Sequence, residues 1–344
     1  KMIQAVRNIG LLSRSAKNNP QKHQTPSLRY QYNLSKDTVS FGLSKKDTKL
    51  FSCKDSSELG ANIADELGIE PNESISKKFK NGETYVKLND DVDGKSVVVI
   101  NSGNDPVNDN LMEFRQLIDA SKRNGAEKIT AVVPYLPYSR QDRLSDEGES
   151  LAAKMVAEDL ERTGADKVIT VDLHSPQIQG FFDIPVKNLS AIPMFADYFK
   201  KNHDDIPNSF VVVSPDSGGE KRAKKLAKEL GTPVSVISKE RAEHNKAEAV
   251  SISGDVKDKN CILVDDMIDT AGSITAAVNM LKSKGANDIY IAATHGIFSG
   301  AAYDNIKNCP VKEVVVTDSL PLKEGAPSNI KQLSIAGMVA DELN

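Results

Sequence analysis

The stretch CILVDDMIDTAGSIT, Cys261 to Thr275, decides how the chain reads. An apolar run from Cys261 to Val264 ends in Asp265 and Asp266, and Asp269 then opens a turn of small residues, Thr270, Ala271, Gly272 and Ser273. A strand that stops in charge before a helix beginning near Ile274 presents backbone N–H groups and hydroxyls at a helix N-terminus, which suits an anion. Thr270, Ser273 and the backbone of Ala271 and Gly272 are placed to hold a phosphate. Asp265 and Asp266 are placed to accept hydrogen bonds from sugar hydroxyls or to bind a hydrated Mg²⁺. Phosphate and diol together point to a ribose phosphate. The competing reading is an ordinary turn capped by Asp269 or Thr270. A cap needs one such group, and here three carboxylates fall within residues 265–269.

Similar apolar runs recur from Thr48 onward: SVVVI (96–100), KITAVVPY (128–135), KVITVDL (167–173), SFVVVS (209–214), PVSVIS (233–238) and DIYIAAT (288–294). Helical patterns separate them. Such alternation indicates parallel βαβ units, and apolarity that is continuous along each strand means helices on both sheet faces. The expected class is α/β. The order SVVVINSG, a helix through LMEFRQLIDASKR, then NGAEKITAVV is echoed by CILVDDMIDTAG, a helix through ITAAVNMLKSK, then GANDIYIAAT, with Gly125-Ala126 and Gly285-Ala286 in corresponding places. With 344 residues the chain suits two such halves, meeting near residues 185–195. PLKEGAPS (321–328) reads as a loop before a final helix, Ala336 to Leu343.

Hydrophobic content of 39%, charged content of 27% and no long apolar run describe a soluble globular chain with no membrane partner. Three widely spaced cysteines, Cys53, Cys261 and Cys309, suggest neither a disulfide framework nor a zinc site and point to a reducing compartment. Residues 1–46 hold nine basic residues against Asp37 alone, a charge of +8 that leaves −12 for the rest of a chain of net charge −4. A body that acidic excludes nucleic acid as a partner. Residues 1–47 form a basic extension. Its stretch MIQAVRNIGLLSRSAKNNPQ is similar to an organellar transit peptide, and a disordered extension with no address is the alternative. The expected location is cytoplasmic, or mitochondrial or another organelle if residues 1–47 are a transit segment.

VDDMIDTAGSI (264–274) resembles the ribose-phosphate loop of the ribose-phosphate diphosphokinases, also called phosphoribosyl pyrophosphate synthetases. KKFKNGETYVKL (77–88), NDNLMEF (108–114), PYLPYSRQD (134–142), VDLHSPQIQGFFDIP (171–185), VSPDSGG (213–219), GDVKDK (254–259) and THGIFSG (294–300) are also similar to that family's motifs. The resemblance covers about residues 48–340. It implies two similar phosphoribosyltransferase-type domains, each a mainly parallel sheet flanked by helices, at 48–188 on the ATP side and 189–344 on the ribose 5-phosphate side. The implied reaction moves the diphosphoryl group of ATP to the C1 hydroxyl of ribose 5-phosphate, with Mg²⁺ as cofactor.

Residue by residue, the resemblance makes Lys239 and Arg241 of ISKERAEHN the catalytic cations of a loop that closes over the phosphates. Phe79, Asn81, Glu83, Arg140, Gln141, Asp142 and His174 become ATP contacts, with Phe79, Asn81 and Glu83 reaching a neighbouring subunit's adenine. His174 and Asp216 become metal residues. Asp265, Asp266, Asp269, Thr270, Ala271, Gly272 and Ser273 become the ribose 5-phosphate site. Self-association follows, as dimers assembling into hexamers.

The chain departs from the family in two places. After Asp142 it has Arg143 and then LSDEGESLAAK, with Asp146, Glu147 and Glu149 where further basic residues and an Arg-x-Pro segment are usual. Acids beside a polyphosphate weaken its binding unless they face solvent or assist a metal. Near the family's regulatory anion site, Pro176 and Lys187 stand in place of a Ser and an Asp, so phosphate activation is expected to be weakened or changed. Alternative functions are a non-catalytic associated regulatory subunit, or the same transfer to a different ribose 5-phosphate-derived acceptor.

Overall fold

The structure, a computed structural model, describes residues 46–240 and 249–344. Of the basic extension, residues 1–45 lie outside that range.

The first half of the chain contributes β1 (Thr48–Ser52), α1 (Ser57–Leu67), a hairpin of β2 (Ser74–Lys78) and β3 (Thr84–Leu88), β4 (Ser96–Ile100), α2 (Val107–Arg123), β5 (Lys128–Val132), α3 (Ala152–Thr163), β6 (Lys167–Val171) and β7 (Val186–Leu189). The second half contributes α4 (Ile192–Asn202), α5 (Ile206–Ser209), β8 (Phe210–Ser214), α6 (Glu220–Leu230), β9 (Val234–Glu240), β10 (Ala249–Ser253) and β11 (Asn260–Ile268). It continues with α7 (Gly272–Ser283), β12 (Ile289–Gly296), α8 (Ala302–Lys307), β13 (Glu313–Thr317), β14 (Ile330–Leu333) and α9 (Ala336–Leu343). The class is α/β, as the alternating pattern requires.

The two sheets follow one plan. The first has the order β1-β4-β5-β6-β7, and the second carries β8-β11-β12-β13-β14 in the same sense, with β9 and β10 added outside β8. Every pairing in the first sheet is parallel, and in the second only β9 with β10 is antiparallel. Each half places an extra strand pair between its first two sheet strands: β2 and β3 stand apart as a two-stranded sheet, whereas β9 and β10 join the main sheet.

The echo in sequence is repeated bond for bond. The N–H of Ala126 donates to the carbonyl of Ser121 at 3.1 Å, and that of Ala286 to Leu281 at 3.1 Å. Gly94 N–H reaches the carbonyl of Gly125 at 2.8 Å, and Asp258 N–H reaches that of Gly285 at 2.9 Å. Gly125 and Gly285 have φ of 83° and 84°, left-handed backbone that a side chain would strain. The repeated glycine therefore follows from the repeated helix-to-strand turn.

Packing explains why α6 is a helix of lysines. Ala223, Leu226, Ala227 and Leu230 fall at i, i+3, i+4 and i+7 and are buried, while Lys221, Lys224, Lys225 and Lys228 take the other face. With α1, α4 and α9, this helix supplies a core shared by strands of both sheets, from Leu50 and Val98 to Val212 and Ile262. Buried polar bonds join the halves further: Thr294 Oγ1 donates to Asp172 Oδ2 at 2.8 Å, and His295 Nε2 lies 3.0 Å from the Val171 carbonyl.

Candidate active site

Parallel sheets bind ligands at the carboxyl ends of their strands, where successive connections diverge to opposite sides. Here β8 leads through α6 to β9 on one side, while β11 leads through α7 to β12 on the other. Between β8 and β11 opens a cleft of about 590 Å³. It is lined by Asp265 through Ile274 from the end of β11, by Asp216, Gly218, Gly219 and Arg222 from β8 and α6, and by Arg140, Asp142, Arg143, His174, Ser175 and Gln177 from the first half.

The turn after β11 differs in detail from the sequence expectation. Ala271 has φ 62° and ψ 3°, left-handed backbone rare for a residue with a Cβ, and α7 begins at Gly272, two residues earlier than expected. No side chain caps α7, so the capping alternative for Asp269 or Thr270 is not realised. Asp269 instead pairs with Arg140, Oδ2 to Nη1 at 2.6 Å. The first N–H groups of α7 have no side-chain cap and could accept an anion.

Arg140, His174 and Arg222 are engaged by the cleft's carboxylates. His174 Nδ1 lies 2.7 Å from Asp266 Oδ2, and Arg222 Nη1 lies 3.2 Å from Asp265 Oδ1 and 3.5 Å from Asp266 Oδ1. Two unit charges about 4 Å apart interact by roughly 4 kcal/mol at the effective dielectric near a protein surface, so adjacent buried carboxylates need such partners. Burial and then the neighbouring Asp266 charge push the Asp265 carboxyl up to about 8. Burial acts the same way on Asp266, but the bonds from His174 and Arg222 outweigh it and hold that carboxyl well below the usual range. The bond to Asp266 in turn raises His174 above the ordinary histidine value, against the effect of burial.

A divalent cation fits this lining. With the Asp265 carboxyl pushed up to about 8, four other aspartates face three arginines and His174, a near balance that a polyphosphate would tip to negative charge without a cation. Asp216 offers the carboxylate oxygen that Mg²⁺ prefers; its Oδ1 already accepts the Gly219 N–H at 2.9 Å. Among the described residues no three His, Cys, Asp or Glu side chains form a metal-holding group, so such an ion would take its remaining ligands from phosphates and water.

Comparisons with known proteins identify the family. Residues 48–164 match the family model for the N-terminal domain of ribose phosphate pyrophosphokinase, and residues 244–344 match that for the phosphoribosyl synthetase-associated domain. The ribose-phosphate pyrophosphokinase of Staphylococcus saprophyticus is 45% identical over 296 residues, covering 86% of this chain and 92% of that one. That of Aquifex aeolicus is 46% identical over 285 residues, covering 83% and 91%. The crystal structure of phosphoribosylpyrophosphate synthetase from Mycobacterium smegmatis superposes with a TM-score of 0.81 at 40% identity, covering 86% of this chain and 97% of that one. The chain belongs to the ribose-phosphate pyrophosphokinase family.

The cleft gathers Arg140, Asp142, His174, Asp216 and all seven residues from Asp265 to Ser273 singled out in the sequence. Gln141 lines a neighbouring cavity of about 590 Å³ with Asp105 to Asp109, Tyr135 and Tyr138, and Arg140 stands on the wall of both. Phe79, Asn81 and Glu83 line neither; they form the tip of the β2–β3 hairpin, where the Phe79 ring is half exposed and packs edge-on against Tyr85. Lys239 lies on β9 with its side chain outside the described residues, and Arg241 lies wholly outside them.

Both departures from the family pattern take definite form. In the loop after Asp142 only Arg143 lines the cleft. Asp146, Glu147 and Glu149 are exposed, and Glu149 Oε2 accepts the N–H groups of Ser145 and Asp146 at 2.6 and 3.1 Å. Lys187 Nζ pairs with Glu342 Oε2 at 2.9 Å, and Lys167 holds the other oxygen at 2.8 Å, so the last helix is tied to β6 and β7. Arg222 was not anticipated. VSPDSGG ends three residues before it, and a first-turn helix position after two glycines at a strand end was the available signal.

Proposed function

We propose that the chain transfers the β,γ-diphosphoryl group of Mg-ATP to the C1 hydroxyl of ribose 5-phosphate, giving 5-phosphoribosyl 1-diphosphate and AMP. The observation that carries this reading is the cleft at the β8–β11 switch point, where an uncapped helix N-terminus stands beside a pair of carboxylates and within one cavity of Arg140, His174 and Asp216.

On this reading the N–H groups and hydroxyls of residues 270–273 hold the 5-phosphate, Asp265 and Asp266 accept hydrogen bonds from the sugar hydroxyls, and Asp269 orients the loop through Arg140. Arg140, Gln141 and Asp142 take the nucleotide, Arg140 with its planar guanidinium against the base. His174 and Asp216 hold Mg²⁺, which when bound neutralises charge on the β- and γ-phosphates. Lys239 and Arg241 are assigned the cations that meet charge developing on the transferred group. The attacking C1 oxygen and the phosphorus must lie in line, so catalysis is chiefly positioning and electrostatics.

The hairpin tip at Phe79 to Glu83 is assigned to a neighbouring subunit's nucleotide, within dimers that assemble into hexamers. The two phosphoribosyltransferase-type domains are assigned to 48–188 and 189–344, consistent with every described strand through Leu189 lying in the first sheet or its hairpin and every one from Phe210 in the second. With Pro176 and Lys187 in place, and Lys187 paired to Glu342, phosphate activation is weakened or altered.

Calorimetric titration tests the core of the reading. Replacing Thr270 by Val and Ser273 by Ala together should weaken ribose 5-phosphate binding at least tenfold and leave a non-hydrolysable ATP analogue within twofold. Unchanged binding of the sugar phosphate would contradict it.

A further inference from the structure

Arg222 occupies a position in the cleft that the reading above does not use. It is the third residue of α6, its side chain is 18% exposed, and one nitrogen, Nη1, approaches both Asp265 and Asp266. The turn before it packs closely on Ser214: a Cβ added at Gly219 would stand 2.7 Å from Ser214 Oγ, whereas Arg222 Nη1, 3.7 Å away, would remain in ordinary contact.

We propose that Arg222 is the positioning residue of the sugar-diol site: it holds Asp265 and Asp266 as hydrogen-bond acceptors for hydroxyls and takes the place that a divalent cation would otherwise occupy between them. The proposal rests on the ribose 5-phosphate reading. The sequence left two uses open for these carboxylates, sugar hydroxyls or a hydrated metal, and the geometry separates them. Asp265 Oδ1 accepts from Arg222 and from the Asp266 N–H at 2.9 Å, Asp266 Oδ1 faces Arg222, and Asp266 Oδ2 is bonded to His174. Two of the four oxygens thus already accept hydrogen bonds from the protein, and a third lies 3.5 Å from the Arg222 guanidinium. A hard cation seeks six or more oxygens and would have to displace a guanidinium that is fixed in place. A hydroxyl needs only one acceptor direction, which a held carboxylate still supplies.

One guanidinium nitrogen, Nη1, meets both carboxylates from a rigid planar group, whereas an ammonium on the same helix keeps the charge on a flexible stem without that placement. Arg222→Lys and Arg222→Met separate these roles in the full chain. Steady-state kinetics with either substrate varied and Mn²⁺ binding by electron paramagnetic resonance without nucleotide are the two measurements.

For Arg222→Met, KM for ribose 5-phosphate should rise at least tenfold while KM for ATP stays within twofold. The nucleotide-free variant should also gain one bound Mn²⁺ that the parent lacks. Arg222→Lys should raise KM for ribose 5-phosphate three- to fivefold with no added Mn²⁺. A purely structural role predicts a lower melting temperature with both KM values moving together. That result, or parental KM and Mn²⁺ binding in Arg222→Met, would overturn the proposal. If Arg222→Met does not fold by circular dichroism, Arg222→Lys decides, and parental kinetics there overturn it. Failure of the parent to release AMP with ribose 5-phosphate would sink the functional reading instead, and the Mn²⁺ comparison would still decide where Arg222 stands.

Discussion

His174 Nδ1 lies 2.7 Å from Oδ2 of Asp266, across 92 residues of sequence and from one sheet to the other. A residue just past β6 and one near the end of β11 are thereby joined by a hydrogen bond, and the two sides of the cleft are held together at that point.

Groups that act as a unit lose their effect together. His174→Asn and Asp266→Asn should each lower kcat/KM at least a hundredfold, and the double variant should be within about threefold of the worse single one. Multiplying losses in the double-mutant cycle would mean that the two residues act independently.

Asp269 and Arg140 form the other link across the cleft, with side chains 25% and 51% exposed. An ion pair that open to solvent contributes about 0–1 kcal/mol to stability. Asp269→Asn should therefore shift the melting temperature little, while raising KM for ribose 5-phosphate at least tenfold. Thermal unfolding and kinetics on one preparation check both halves of the statement.

His295 is fully buried between Val171 and Ser319, with its ring 5.1 Å from Tyr135, and burial lowers its pKa despite the nearby charges of Asp266 and Asp172. Below about pH 6.5, the ordinary histidine value, the unfolded chain binds a proton that the folded chain refuses. The stability associated with the neutral ring is thus complete above that pH and is lost as pH falls toward the lowered folded value. His174, with its pKa raised, contributes in the opposite sense. The comparison is therefore between the parent and His295→Gln. The difference in unfolding free energy should shrink from pH 7.5 to 5.5, and a difference independent of pH would refute a buried neutral imidazole.

All three cysteines are buried and none forms a disulfide. Burial raises each thiol pKa, that of Cys261 to about 12. A thiolate-selective reagent should label none of them rapidly in the folded protein and all three in denaturant. Rapid labelling of one in the native state would locate an opening in the core around it.

How much of this was legible in the sequence follows from the range of the interactions. Strands such as SVVVI and SFVVVS announce themselves through local apolarity, and α9 runs over Ala336–Leu343 as expected. Short strands such as VKNL in β7 and IKQL in β14 carry no such signal, because half of each run is polar and they are recruited by pairing with a neighbour. The ribose-phosphate loop was readable because its carboxylates and small residues are contiguous. The start of α7 lies two residues before the expected Ile274, after a left-handed Ala271 that its residue type does not signal. Arg222 was missed because it meets its partner Asp265 43 residues further along the chain.

The most direct test of the account is AMP release by the purified chain with Mg-ATP, with and without ribose 5-phosphate. AMP formed only when the sugar phosphate is present, with stoichiometric appearance of a sugar 1-diphosphate, is the predicted result. No AMP under either condition, or AMP formed equally without the sugar, would contradict a diphosphoryl transfer to ribose 5-phosphate in this cleft.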